Sequence, residues 1–390
     1  MDIFLFDGPQ WQQLLPLSYT RSLADLRMGY LSLKQKWEHL SDKSLELVVN
    51  HSLRDLYPSV NQRPGLYINS CVLPSKELWD LVSKLDEETS LYDENTLIAF
   101  RSHSQFDYKS IETLQKTMTP NRVGRIERYW DIFLNLGDQI ELDFTLLKEK
   151  GSSQELKDSN TIIGDRIICL GQAEINAATI NTEKGPVIIG EGAEIMEGSV
   201  IRGPFVLGDY SQVKLAAKIY GPSSIGPHSK VGGEFSNSLI QGYSNKGHDG
   251  FIGNSVIGEW CNFGADTNIS NLKNNYSEVK VWDYASESYI NSAQQFCGLC
   301  MGDHSKTGIN TMINTGTAVG VSANVFGAGF PDKFVPSFAW GAADSTQHYD
   351  LAKALDTAER VKARRDLKLS KEERDILSHI HEKESHFFSE

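Results

Sequence analysis

From Ile189 onward every sixth residue is aliphatic: Ile189, Ile195, Ile201, Leu207, Val213, Ile219, Ile225 and Val231. The phase returns at Ile257, Phe263 and Ile269, and again at Ile313, Val319 and Val325. A helix repeats near 3.6 residues and a half-buried strand every 2, so a six-residue period belongs to neither. It is the internal repeat of a β-helix: each hexad makes a short strand and a turn, and three hexads close one triangular coil. The aliphatic residue then points into the prism and stacks on its equivalents. Gly190, Gly208, Gly226 and Gly232 follow several of these positions and suit corners that need unusual backbone angles. A β-sandwich fails as the rival, because its strands alternate with period 2 and hold no fixed sixth-residue phase. The repeat alone does not set the hand of the coil.

The phase breaks at residues 233–251 and 270–307, where loops are expected to leave the prism and function to gather. Three zones follow: a mixed α/β zone over 1–150, the β-helix over 160–335 and a charged, amphipathic helical tail over 345–390. The tail is expected to cap the open coil end, with packing on a neighbouring subunit as the alternative. The 390 residues include 38 Lys and Arg against 51 Asp and Glu, a net charge of −13, which argues against general nucleic-acid binding. A local cationic cluster for a sugar phosphate stays compatible with that charge. No apolar run is long enough for a membrane span, and the acidic start, with Asp2 and Asp7, does not read as a signal peptide. Five cysteines fit a reducing cytoplasm, and Cys297-Gly-Leu-Cys300 reads as two buried thiols rather than a metal site.

The breaks carry the polar residues of interest. Glu234 precedes Asn245-Lys246-Gly247-His248 and Phe251; Asn262-Phe263-Gly264-Ala265 follows, and Lys280 lies downstream. In this order the stretch resembles the acetyltransferase half of the bifunctional N-acetylglucosamine-1-phosphate uridylyltransferase/glucosamine-1-phosphate N-acetyltransferases. The resemblance implies a left-handed prism, a homotrimer and acetyl-CoA as co-substrate. It also implies His248 as general base with Glu234 behind it. Substrate contacts would come from Lys246, Phe251, Asn262, Lys280 and Lys218, and an acetyl-CoA contact from Ala265. Amine attack on a thioester needs a base near neutrality, and imidazole supplies it. Alternatives remain beside each role: Lys246 as a solvent-facing lysine, Asn262 as part of an Asn ladder at a coil corner. Ser236 and Phe251 replace the Lys and Tyr that family members often carry.

The first zone is similar to a truncated sugar-phosphate nucleotidyltransferase, through Leu15-Pro16-Leu17-Ser18 and the following Arg21, Arg27 and Lys34. Only Asp7-Gly8-Pro9 stands where that family has a Gly-rich phosphate loop. Arg21 and Arg27 are candidates for a nucleotide phosphate, with a structural Arg pair as the alternative. Asp7 is a candidate for Mg²⁺. Two functions are therefore expected to compete: a transferase of amino-sugar phosphates and nucleotide sugars, or a non-catalytic sugar-nucleotide-binding or assembly protein on a β-helix scaffold.

Overall fold

The computed structural model describes residues 2–388 apart from 59, 61–62, 104–107, 152–156 and 342–345. The front domain is a six-stranded mixed sheet built from β1 (Asp2–Phe6), β2 (Glu46–Val48), β3 (Gly65–Asn69), β4 (Thr89–Asp93), β5 (Thr96–Ser102) and β6 (Gln115–Met118). Its order is β2-β1-β3-β5-β4-β6, with β1 parallel to both neighbours and β5 antiparallel to β3 and β4. Alternation along β1 sorts the core. Phe4 and Phe6 face a small aromatic layer in which Tyr67 stacks on Phe4 at 4.6 Å and on Phe100 at 4.8 Å. Ile3 and Leu5 face the main core.

Helices α1 (Leu33–Ser41), α2 (Lys76–Val82), α3 (Tyr108–Ile111), α4 (Tyr129–Leu134) and α5 (Leu136–Leu147) complete the domain. A capping box between Ser32 and Gln35 starts α1. Lys36 of α1 meets Asp143 of α5 at 2.6 Å with both side chains fully buried. Asp143 also accepts the Tyr30 N–H at 2.7 Å. That close approach requires Gly29, at φ 118°, because a Cβ there would lie 2.2 Å from the Asp143 carboxylate.

The rest of the chain up to the tail is a three-sided parallel β-helix, with faces that begin as six-, nine- and five-stranded parallel sheets. All eight residues of the six-residue phase point inward and are no more than 1% exposed. The nine-stranded face is buried on both sides: Ile188, Val206, Leu239 and Val256 project from it into the front domain's core. This explains strands that are apolar at every position, such as Val187–Ile189 and Phe205–Leu207.

The two breaks behave differently. Residues 233–251 do not leave the prism. Glu234–Ser236, Leu239–Gly242, Asn245–Lys246 and Phe251–Gly253 all keep parallel pairing. The coil is shortened instead: Val231 pairs with Lys246, 15 residues on (246 − 231), whereas Val213 pairs with Val231, 18 on (231 − 213). The second break is a true excursion, an antiparallel hairpin of Lys280–Asp283 with Ser288–Asn291, before Cys300 resumes the ladder against Val256.

One corner of the prism carries a stack of rings: Tyr210, His228, Tyr243 and Trp260, at 5.1, 5.0 and 4.3 Å, then His304 at 6.2 Å. Each sits at left-handed φ between 51° and 62°, the backbone state of that corner. The tail forms α6 (Leu351–Ala363) and α7 (Lys371–Lys383). It caps the final coil: His381 packs edge-on to Phe338, and Glu384 accepts the Ser337 N–H at 2.6 Å. The five cysteines are buried and unbridged. Among the described residues no helix is long and apolar enough to cross a membrane.

Candidate functional site

The shortened coil determines where the candidate residues fall. Register puts Lys246 in the inward column after Val213 and Val231, and it is 1% exposed. Its ammonium cannot stay unsolvated there, so it reaches the corner and donates to the carbonyls of Gly232 (3.1 Å), Asp249 (2.9 Å) and His248. Burial lowers it to about 8. Lys246 is thus no substrate-facing lysine, which corrects both sequence readings of it. It ties down the corner that carries His248.

His248 itself is exposed, and its ring makes no hydrogen bond or ion pair with another described residue. The neighbouring Glu234 lies one coil earlier, in register with Phe251, and its backbone N–H donates to Gly250 O at 3.0 Å. The two side chains share this corner without a hydrogen bond between them. Glu234 instead stands 3.8 Å from the Lys218 ammonium. Phe251 is half-buried, and its N–H donates to the Asn268 side chain at 2.9 Å. Ala265 belongs to the same corner one coil on, where the Asp266 N–H donates to Asp249 O at 3.2 Å. Asn262 is exposed, bridges Asn245 and Lys306 in the ladder, and accepts from the Asn245 amide at 3.0 Å. It therefore builds an Asn pair while still presenting its side chain. Lys280 is exposed at the base of the excursion hairpin, and its carbonyl accepts from Lys333 at 2.8 Å.

The candidates in the front domain serve other ends. Arg21 is buried and chelates Asp303 with two bonds of 3.1 and 2.5 Å, with Glu259 at 3.4 Å. It pins the front domain to the β-helix, so its assignment to a nucleotide phosphate is corrected: its charge is already matched by two carboxylates. Asp7 accepts from Ser22 Oγ (2.8 Å), the Leu23 N–H (3.2 Å) and the Asn50 N–H (3.3 Å), and burial pushes it up to about 6. A carboxyl so enclosed does not fit a Mg²⁺ ligand, which corrects that expectation. Among the described residues no group of three or more His, Cys, Asp or Glu could hold a metal. Arg27 donates to Tyr30 O at 2.8 Å and lines a cleft of about 460 Å³ between the front domain, the prism and α7.

Sequence reasoning missed the ring stack, the partners of Arg21 and a cationic cleft beside Asn262. Coil lengths of unequal size hide the column of rings, and Asp303 lies 282 residues from Arg21.

Residues 3–152 match the family described as sugar nucleotidyl transferase, and the front domain is of that type. The chain is similar to the bifunctional sugar-1-phosphate nucleotidylyltransferase/acetyltransferase of Sulfurisphaera tokodaii, at 40% identity over 159 residues, covering 40% of this chain and 38% of that protein. It is also similar to the bifunctional protein GlmU of Methanocaldococcus jannaschii, at 36% identity over 87 residues, or 22% of this chain and 21% of that protein. The matches thus span well under half the length of these relatives. Among solved structures, the polySia specific acetyltransferase NeuO aligns at 18% identity and TM-score 0.33, covering 54% of this chain and 99% of that one. The Arabidopsis UDP-N-acetylglucosamine acyltransferase aligns at 12% identity and TM-score 0.35, covering 60% of this chain and 98% of that one.

Proposed function

We propose that this relative of the bifunctional sugar-1-phosphate transferases transfers an acetyl group from acetyl-CoA to the amine of a glucosamine-1-phosphate-like sugar at the His248 corner. The observation that carries the reading is an imidazole whose ring has no hydrogen-bond or ion-pair partner among the described residues, on a corner held rigid by a buried lysine. In this proposal a neutral ring nitrogen of His248 takes the proton as the sugar amine attacks the thioester carbonyl. The C–N bond forms, the C–S bond breaks, and the proton passes to the departing thiolate. Glu234 steadies the imidazolium once Lys218 turns to the sugar phosphate. Phe251, Asn262 and Lys280 contact the sugar phosphate, and Ala265 lines the path of the acyl donor.

A homotrimer completes the site, supported by apolar residues left bare on the prism: Leu215 is 63% and Ile309 73% exposed. The unbridged cysteines suit a reducing compartment, and we place the enzyme in the cytoplasm.

A second reading applies to the front half. Arg21 and Asp7 are consumed as structural ties, which favours a domain that binds a nucleotide sugar or supports the fold over one that makes the nucleotide sugar. The deciding experiment is thiol release from acetyl-CoA in the presence of glucosamine 1-phosphate. His248→Ala is expected to lower the rate by about 10²-fold or more. Equal rates for wild type and variant remove His248 from the mechanism.

A further inference from the structure

The five-stranded face carries, one coil above the next, the outward residues Gln212, Lys230 and Asn245, and the ladder continues through Asn262 to Lys306. The end of α6 and the residues just after it lie across this face. Between them is a cleft of about 330 Å³ whose lining includes Lys230, Lys306, Asn262, Trp260, Arg364 and Arg365. Four cations from two distant parts of the sequence converge there; burial first, then Lys214, Arg365 and Arg364, disfavour the charge on Lys230, against a weaker pull from Glu194.

What sets the cleft apart is the lack of counter-charge. Elsewhere the enclosed cations Arg21, Lys36 and Lys362 are matched by Asp303, Asp143 and Glu373, and Lys246 is taken up by three backbone carbonyls. Among the described residues, none of the four cleft cations is within ion-pair distance of a carboxylate. Lys306 donates to His304 O at 2.7 Å and Arg365 to His228 O at 3.2 Å. Those bonds use one donor each of groups that carry three and five. The side chains of Lys230 and Arg364 donate to no described residue. Like charges held together without a carboxylate in ion-pair distance repel one another, and a bound anion relieves that repulsion. The far wall is firmly placed. Lys362 pairs with Glu373 at 2.5 Å and stands 5.4 Å above the Trp260 ring, so α6 is docked on the ring stack.

We propose that this cleft binds the diphosphate of a nucleotide-bearing ligand, with the arginines after α6 supplying half of the contacts. The tail is then both the cap of the prism and one jaw of a binding site. Two phosphates match cations on both walls, and the Asn245 and Asn262 amides lead along the same face to Gly247 and His248. The proposal deepens the acetyl-transfer reading and rests on it for the ligand's nearness to His248. The diphosphate can come from the nucleotide end of coenzyme A or from a nucleoside diphosphate sugar.

The test is calorimetric titration of the full chain with coenzyme A, with UDP-N-acetylglucosamine and with inorganic pyrophosphate as competitor. The comparison is with Lys230→Glu/Arg364→Glu and the milder Arg364→Gln, each checked for an unchanged melting curve. Wild type is expected to bind at least one nucleotide ligand, with pyrophosphate displacing it. The double variant is expected to lose about tenfold or more in affinity and Arg364→Gln a smaller part, because both remove charge-assisted bonds. Tighter binding of coenzyme A assigns the cleft to the acyl donor; tighter binding of the sugar nucleotide assigns it to that ligand. Equal affinity in wild type and double variant, or no displacement by pyrophosphate, overturns the proposal. Binding that follows these expectations without thiol release to glucosamine 1-phosphate overturns the acetyl-transfer reading and leaves the cleft standing.

Discussion

The front domain and the β-helix bury the same kinds of aliphatic side chain but satisfy their buried polar groups by opposite means. In the front domain the buried charged groups have their own separate partner sets. Lys36 meets Asp143, and Asp7 gathers Ser22, Leu23 and Asn50. In the β-helix polar groups stand in rows and share partners up the stack. Ser211 Oγ accepts from the Ser229 N–H, Ser229 Oγ from the Ser244 N–H, and Ser244 Oγ from the Cys261 N–H. A unique pair fails as a unit when one member is lost. A row loses one rung while its neighbours keep theirs. Lys246 of the β-helix follows the front domain's rule instead, and it stands under the proposed catalytic corner.

The contrast can be broken most forcefully at Asp143. Asp143→Ala leaves Lys36 buried without its carboxylate, and a loss of about 3–5 kcal/mol is expected in urea unfolding. A loss near that of a surface substitution would refute the account of the front domain. Next come two buried titrating groups of opposite sign. Asp7 is raised by burial from 3.8 to about 6, so the folded chain holds its proton more tightly than the unfolded one. Its contribution is therefore lost as pH rises from about 4 to about 6, by about 3 kcal/mol in all. His304 is pushed down by burial from 6.5 to about 3, so stability falls as pH drops from about 6.5 towards 3. Melting temperatures across pH 3–7 separate them. Asp7→Asn is expected to leave a curve that rises with pH, and His304→Gln one that falls between pH 4 and 6. A wild-type slope retained in either variant defeats that assignment.

A smaller effect sharpens the picture of rows. Ser244→Ala removes the acceptor of the Cys261 N–H and a donor to Gly258 O, and is expected to cost about 1–3 kcal/mol. A cost equal to that of Asp143→Ala would mean that rows are no more tolerant than pairs. The smallest change is expected at Lys218, an exposed lysine 3.8 Å from Glu234. Lys218→Ala should move unfolding free energy by less than about 1 kcal/mol while weakening the sugar-phosphate contact, seen as a raised KM for glucosamine 1-phosphate. A large loss of stability would show that the pair is structural.

How much of this was legible depended on range. The inward column was visible from Ile189 to Val231 because coils of constant length convert position in the chain directly into position on the prism. The reading failed at Lys246, where a coil three residues shorter (18 − 15) turns a surface-looking lysine inward. His248 stood out through resemblance in ordered spacing, and the structure adds its exposure and its clamped corner. The tail's capping role was readable from an open coil end that must be covered. Its arginines beside Lys230 were not, because nothing in the local sequence around 364 refers to residue 230.

By itself, then, the chain determined a prism, the column that fills it, and the segments where polar residues gather. These follow from local periodicity, since each hexad repeats the same short-range geometry. Tertiary structure alone decided which cations are spent and which remain available. Arg21 is neutralised by Asp303 and Lys246 is held by carbonyls of its own corner, while Lys230 and Arg364 line one cleft with no carboxylate among the described residues in ion-pair distance. The physical reason is that a charge's fate depends on what lies within a few ångströms, and folding brings those neighbours together from positions as far apart as Arg21 and Asp303.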